Sequence, residues 1–424
     1  MLNGRTRRRY AHALVLAGLT LLAGCKDPSG PGTGTGNNLP DNLRRLVVSD
    51  HSSRSVRVVD LDKGTVMETF SFRERPLELF AGASQRYAYA VVREADAVYV
   101  IDGGIWEETS GGELLLHMQQ PKVLDFTISG SLPTHSMMNG HWLGTFLDGS
   151  GEAKLFDERT LIAGSPNVIT IPTGRVHHGM VAPLEGAIIV TIPPTRVGGN
   201  GVGLDVFSAT GQRQASFPGC SDPHGAAATD MGAFGCGDGV LLVRRSGGEW
   251  SGSKQPYPAE YAGMYLASAQ AHRQLPYVVA YLKVLVNPAQ AALVRIDGAT
   301  GAMTQIEMPG RAPSQEYAFD ASGRYLLVIG LGGELHVFNA SDLTLRGSVP
   351  AAATAQADPL PASGIRWPTV AAGEKFAYVA DPATGTVAEV NLQTLQVTRR
   401  INVGGSPMKL ALLGTDRTGH KLAN

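Results

Sequence analysis

Neutral imidazole is a common metal ligand, and four histidines in the middle of this chain stand among turn-forming residues suited to that use. They are His135 in Pro133-Thr134-His135, His177 and His178 in Gly174-Arg175-Val176-His177-His178-Gly179, and His224 in Asp222-Pro223-His224-Gly225, the last bracketed by Cys220 and Cys236. Carried on loops that converge at one end of a rigid scaffold, such side chains would surround a single zinc ion and leave a fourth place for a carboxylate or water. Adjacent side chains on an extended segment point opposite ways, so only one of His177 and His178 is expected to enter a shared site. His117, His141 and Asp222 are secondary candidates. Taken singly, each of these residues has a plainer reading as a solvated or singly hydrogen-bonded turn residue.

The elements that must position them are short and β-like. Leu46 to Asp50, Ser55 to Asp60 and Thr65 to Phe70 read as strand, turn, strand, turn, strand, with an Asp-Lys-Gly turn at Asp62 to Gly64. The phrase returns at Tyr325 to Ile329, Glu334 to Asn339 and Leu343 to Val349, and at Phe376 to Ala380, Gly385 to Asn391 and Gln396 to Val403. Partial copies occur at Ala97 to Asp102, Ala153 to Asp157, Gly203 to Phe207, Val240 to Arg244 and Ala292 to Asp297. Period-2 alternation that closes on Asp or Asn before a glycine turn is the hairpin signal. Eight returns of the inner-strand phrase over roughly 370 residues give about 46 residues per unit, the spacing of four-stranded propeller blades. Long helical periodicity is absent, and 52 glycines with 25 prolines suit a chain made largely of turns. The expected fold is an all-β propeller over 43–414 with a short tail at 415–424. Eight blades fit the count and seven stay open, because the copy near 240–258 is degenerate. The histidines then fall near the starts of successive blades, where equivalent loops face one channel mouth.

The N-terminal segment points to an export route. Arg5, Arg7, Arg8 and Arg9 precede an apolar run from Ala11 to Leu22 and then Leu22-Ala23-Gly24-Cys25. That order is a secretory signal over 1–24, and the small residues before a lone cysteine resemble a lipobox in which Cys25 is acylated. An ordinary signal peptide containing a cysteine is the alternative. Residues 25–42 hold Pro, Gly, Thr, Ser and Asn and read as a flexible tether. Lys26 after the cysteine resembles lipoproteins passed on to an outer membrane. A lipid-anchored, periplasm-facing place in a bacterial envelope is therefore expected, with the bilayer as one partner. In that oxidising compartment Cys220 and Cys236 are most simply a disulfide, a zinc-thiolate pair being the sharper alternative. With 36 basic and 37 acidic residues the formal charge is −1, which gives no electrostatic reason to bind nucleic acid, and a monomer is expected.

Templates for other chemistry fail. Gly198 to Gly203 has loose glycine spacing but no strand-to-helix context, and no Gly-x-Ser-x-Gly elbow, Walker loop, His-Glu-x-x-His or Cys-x-x-Cys is present. Glu107, Glu108 and Glu113 read as a solvated acidic loop.

Several phrases resemble the zinc metallochaperone AztD family, secreted propellers that accompany a bacterial zinc ABC importer. They include Gly151 to Glu158, Gly174 to Pro183, Cys220 to Gly225 and Ala233 to Leu242, with more general propeller wording at Ala292 to Asp297 and Tyr378 to Pro382. The resemblance implies zinc bound through His135, His177 with His178, and His224, and delivery to the importer's solute-binding protein. The chain departs from the pattern at Glu113-Leu-Leu-Leu-His117, which keeps one histidine of an expected His- and Asp-rich segment. It departs again at Ala226, where an acidic residue is expected. The leading expectation is a non-enzymatic zinc-binding lipoprotein that stores or delivers the metal. A propeller module for an envelope protein or glycan is the second reading, and a metal-dependent lyase or hydrolase the third.

Overall fold

The computed structural model describes residues 43–184, 186–284, 287–310, 313–353, 367–415 and 421–422. The expected signal at 1–24, Cys25 and the 25–42 tether lie outside the described residues, as does most of 415–424. Among the described residues, eight four-stranded antiparallel sheets are arranged as the blades of a propeller, with one added three-stranded sheet. The first strand of each blade faces the central channel, and these first strands lie against one another around most of the ring.

Blade 1 is completed from a distance. Pro407–Thr415 supplies its channel-facing strand and pairs with Leu43–Asp50, which is followed by Ser55–Asp60 and Thr65–Ser71. The junction is fixed by Asp50, which accepts hydrogen bonds from Ser52 N and Oγ at 2.8 and 2.7 Å and from Ser406 N at 3.0 Å, and pairs with Arg57 at 2.8 Å. Burial alone would raise the Asp50 carboxyl, but these donors outweigh it and hold the group well below the usual carboxylate range. Gly405, at φ +62°, brings the chain so close that a Cβ there would collide with the Asp50 carboxylate.

The repeated phrase marks the middle strands of each blade, not the channel-facing one. Ser55–Asp60, Ala97–Asp102, Glu152–Asp157, Gly203–Ser208, Gly239–Ser246, Asn287–Asp297, Glu334–Asn339 and Thr386–Asn391 are all third strands counted from the channel. The second strands, covered on both faces by neighbouring blades, carry the most continuous apolar runs, as in Tyr87–Val92, buried at every position. Outer strands such as Thr65–Ser71 are largely exposed. Channel-facing strands instead carry small and polar residues, as in His224–Ala228 and Tyr265–Ala271, because eight of them crowd one axis. The apolar cores lie between blades: Met180, Ile189 and Leu204 of blade 4 pack on Phe234, Leu241 and Val243 of blade 5, with Cys220 and Cys236 in the same cluster.

Two features depart from the simple repeat. Ile105–Ser110 and Glu113–Met118 form a hairpin inserted in blade 2, and Lys421–Leu422, expected to be tail, pairs with it in parallel. The second is a buried carboxylate between blades 2 and 3. Glu158, 0% exposed at the start of the short helix Glu158–Ile162, accepts hydrogen bonds from Ser84 N and Tyr89 OH, each at 2.7 Å. Burial, with this carboxylate beside it, pushes the Tyr89 hydroxyl far above its ordinary range.

Removing Glu158 strands two buried donors, so Glu158→Ala is expected to cost about 3 kcal/mol in chemical denaturation, against about 1 kcal/mol for Tyr89→Phe. Equal losses in the two variants would contradict this account of the blade 2 to blade 3 contact.

Candidate metal centre

Three consecutive blades each deliver one imidazole to the same channel mouth. His135 is the third residue of Pro133–Asn139, the channel-facing strand of blade 3. His224 opens His224–Ala228, the equivalent strand of blade 5, and His178 stands just before Val181–Leu184 in blade 4. Local irregularity aims them. Pairing in blade 3 shifts register between Pro133 and Ser136, and in blade 5 between His224 and Ala226, so each histidine lies at a bulge that turns its side chain out of the regular pleat. Gly225 permits the second bulge: its φ is +64°, and a Cβ would strike Leu266. His178 is placed by an isolated bridge to Asn200.

One ligand nitrogen from each of His135, His178 and His224 lies within 4.8 Å of the others. Nε2 of His135 and Nε2 of His178 are 3.1 Å apart, and the His135 and His224 rings stand edge to face with centroids at 5.1 Å. Two imidazole lone pairs cannot face each other at that distance without a proton or a cation between them. Zinc with nitrogen ligands at 2.0–2.1 Å in a tetrahedron needs nitrogens about 3.3 Å apart, which the His135 to His178 spacing matches, while the His224 nitrogen lies within 4.8 Å of both.

The local electrostatics favour neutral rings. Burial pushes His135 down to about 3, and repulsion from His224 and His178 acts in the same direction. Burial also lowers His224, followed by the charges of His178 and Lys283. Both rings are thus unprotonated at neutral pH and keep a lone pair for a metal.

His178 is oriented by a carboxylate. Its Nδ1–H donates to Asp148 Oδ2 at 2.9 Å, which leaves Nε2 as the free acceptor facing the cluster. Arg93 donates to the same Asp148 oxygen at 3.1 Å and to the Leu132 carbonyl at 3.2 Å. Burial would raise the Asp148 carboxyl, but the hydrogen bond and charge of His178, with Arg93, bring it below its ordinary value. A carboxylate on the remote nitrogen is the usual partner of a metal-binding histidine, fixing tautomer and ring angle together. Neither Asp148 nor Arg93 stands out in the sequence, where Asp148-Gly149 looks like any blade corner. The one available signal was chemical, since a ligand histidine needs an acceptor behind it.

The other candidates go elsewhere. His177 is 1% exposed and satisfied within the blade: Nδ1–H donates to the Arg175 carbonyl at 2.8 Å, Nε2 accepts from Thr191 Oγ1 at 3.0 Å, and the ring meets Phe146 edge to face. The opposite-facing rule for neighbouring side chains thus resolves the pair in favour of His178. His117 lies on the inserted hairpin, stacked on Trp106 at 4.7 Å and bonded to Glu108 at 2.8 Å. His141 sits in the turn before Trp142–Leu147, and Asp222 is an exposed turn residue at φ +48°. None of these three joins the cluster.

Cys220 and Cys236 form a disulfide, which excludes the zinc-thiolate alternative for this pair. It ties the segment leading into His224 to the end of Met231–Cys236, the strand beside it. From His135 the channel continues as a cavity of about 570 Å³, whose far wall carries Glu78 and the Lys409 to Glu316 ion pair at 3.0 Å.

No family model matches the chain. The zinc chaperone AztD of Citrobacter koseri is 23% identical over 381 residues, covering 87% of this chain and 86% of AztD. Two structures of Citrobacter koseri AztD, one of them the apo form, superpose with TM-scores of 0.77 and 0.75 at 21% identity, covering 88% and 89% of this chain and 99% of each AztD chain. The dihydro-heme d1 dehydrogenase NirN shares the fold more loosely, with a TM-score of 0.55 at 14% identity over 87% of this chain and 75% of its own. Propellers of this build therefore host unrelated chemistry, and the site rather than the fold must carry the functional argument. Over most of its length the chain resembles the zinc chaperone AztD in both sequence and architecture.

Proposed function

We propose that this protein is a zinc carrier or store of the bacterial envelope, which binds the ion through His135, His178 and His224. One observation carries the reading: three imidazole nitrogens from three consecutive blades meet within 4.8 Å, at a mouth where burial keeps the His135 and His224 rings neutral. The likeness to a zinc chaperone supports it. So does the carboxylate behind His178, because Asp148 serves ring orientation and is already engaged by Arg93. That engagement takes up the Asp148 oxygen nearest the cluster and favours metal binding over a general-base role for Oδ2. Lipid attachment at Cys25 and delivery to the solute-binding protein of a zinc importer extend the same reading. A tethered propeller would hold zinc near the membrane it must cross.

Titration of metal-free protein, 43–424 with its disulfide intact, is expected to give one zinc per chain. His135→Ala, His178→Ala and His224→Ala should each weaken binding by about 100-fold or more, whereas His177→Ala should retain the site if the variant folds. Asp148→Asn should weaken it by about 10- to 100-fold, in line with a lost orienting carboxylate. Unchanged affinity in His178→Ala would overturn the assignment.

The anchor makes a separate prediction. Cys25→Ser, expressed in a bacterial host, is expected to move the protein from the membrane fraction to the soluble envelope fraction. If its distribution does not change, acylation at Cys25 is not what holds it.

A further inference from the structure

The centre supplies three ligands, and the charges around it describe what is missing. Among the described residues no carboxylate or thiolate joins the three imidazoles. Asp148 is balanced by Arg93. On the other flank stands Lys283, half-buried in blade 6 and paired across the sheet with Tyr265. Its ammonium lies 5.7 Å from the Tyr265 ring centroid, and that ring meets His224 edge to face at 5.5 Å. Among the described residues Lys283 has no carboxylate partner. A half-buried ammonium without a counter-ion is costly, and a divalent ion bound nearby by neutral ligands makes the imbalance worse. The loaded mouth would hold two positive charges from the ion and one from Lys283, with nothing in the three-histidine cage to offset them.

We propose that the fourth position of the zinc-loaded centre takes a carboxylate that none of the described residues supplies, with Lys283 as its counter-charge. The inference rests on the zinc-binding reading above. A carboxylate suits the mouth because it brings a metal-ligating oxygen, a full negative charge and a second oxygen that can still accept hydrogen bonds, whereas a halide offers a single atom and water no charge. The same chemistry could come from a small carboxylate in solution or from an Asp or Glu side chain of a protein that receives or supplies the metal. The second source gives a route for exchange: the partner's carboxylate occupies the open position before any histidine has to let go.

Cobalt(II) in the zinc site provides the readout, because its visible absorption reports coordination directly. Sodium acetate and a hexaglutamate peptide are titrated into the cobalt-loaded protein, with sodium chloride at matched ionic strength as the control. Acetate is expected to change the spectrum saturably in the millimolar range where chloride does not. Lys283→Met should weaken that response by about tenfold, and Lys283→Arg should restore it. A tighter response to hexaglutamate than to acetate at equal carboxylate concentration points to a protein segment as the source, and an equal one to a small molecule. No spectral response to either probe, or an unchanged response in Lys283→Met, overturns the proposal while leaving metal binding intact. Failure to take up cobalt or zinc at all would instead overturn the reading on which it rests.

Discussion

Ring closure is the constraint from which the centre follows. Eight twisted sheets packed face to face can close only if each puts one strand on the axis, and those strands enter the channel from the same end. Residues that begin channel-facing strands in consecutive blades are therefore neighbours in space, although His135, His178 and His224 are far apart in the chain. The pairing of Pro407–Thr415 with Leu43–Asp50, fixed by Asp50, closes this ring and so bears indirectly on a site several blades away. The blades supply rigidity, and the register shifts at His135 and His224 supply aim.

Within that geometry, electrostatics decides what the mouth can hold. A protonated His135 would bring a positive charge into a half-enclosed space beside two other imidazoles, and burial makes that unfavourable. The outcome is that His135 and His224 are neutral and stand with His178 close enough to share one ion. Asp148 resolves one ambiguity by claiming the Nδ1 proton of His178, so that Nε2 faces inward. The disulfide adds covalent restraint beside His224, holding its approach segment to the adjacent strand. Lys283 is the discordant charge, and a discordant charge at a binding site says something about the ligand.

Much of this was legible in the sequence because it depends on local pattern. The alternating phrase that ends in Asp or Asn before a glycine turn returns in all eight blades, since each third strand lies beside the exposed outer strand and closes on the turn that leads to it. The phrase belongs to third strands and leaves those lining the channel unmarked. Channel-facing strands such as His224–Ala228 carry small residues with little periodic signal, and their role emerges only when the ring closes. The histidines were visible by type and turn context, and adjacency limited His177 and His178 to one member. Which one required the structure, where Thr191 and the Arg175 carbonyl claim His177. Asp148, Arg93 and Lys283 were illegible because each resembles ordinary blade-corner or strand chemistry, and their meaning lies in contacts between blades.

The central claim is that three imidazoles from blades 3, 4 and 5 hold one zinc ion. X-ray absorption at the zinc edge, on protein loaded with one equivalent, tests it most directly. The account predicts a first shell of three imidazole nitrogens at about 2.0 Å plus one lighter-atom ligand, with no sulfur. A shell containing sulfur, or one with fewer than three imidazoles, would contradict it.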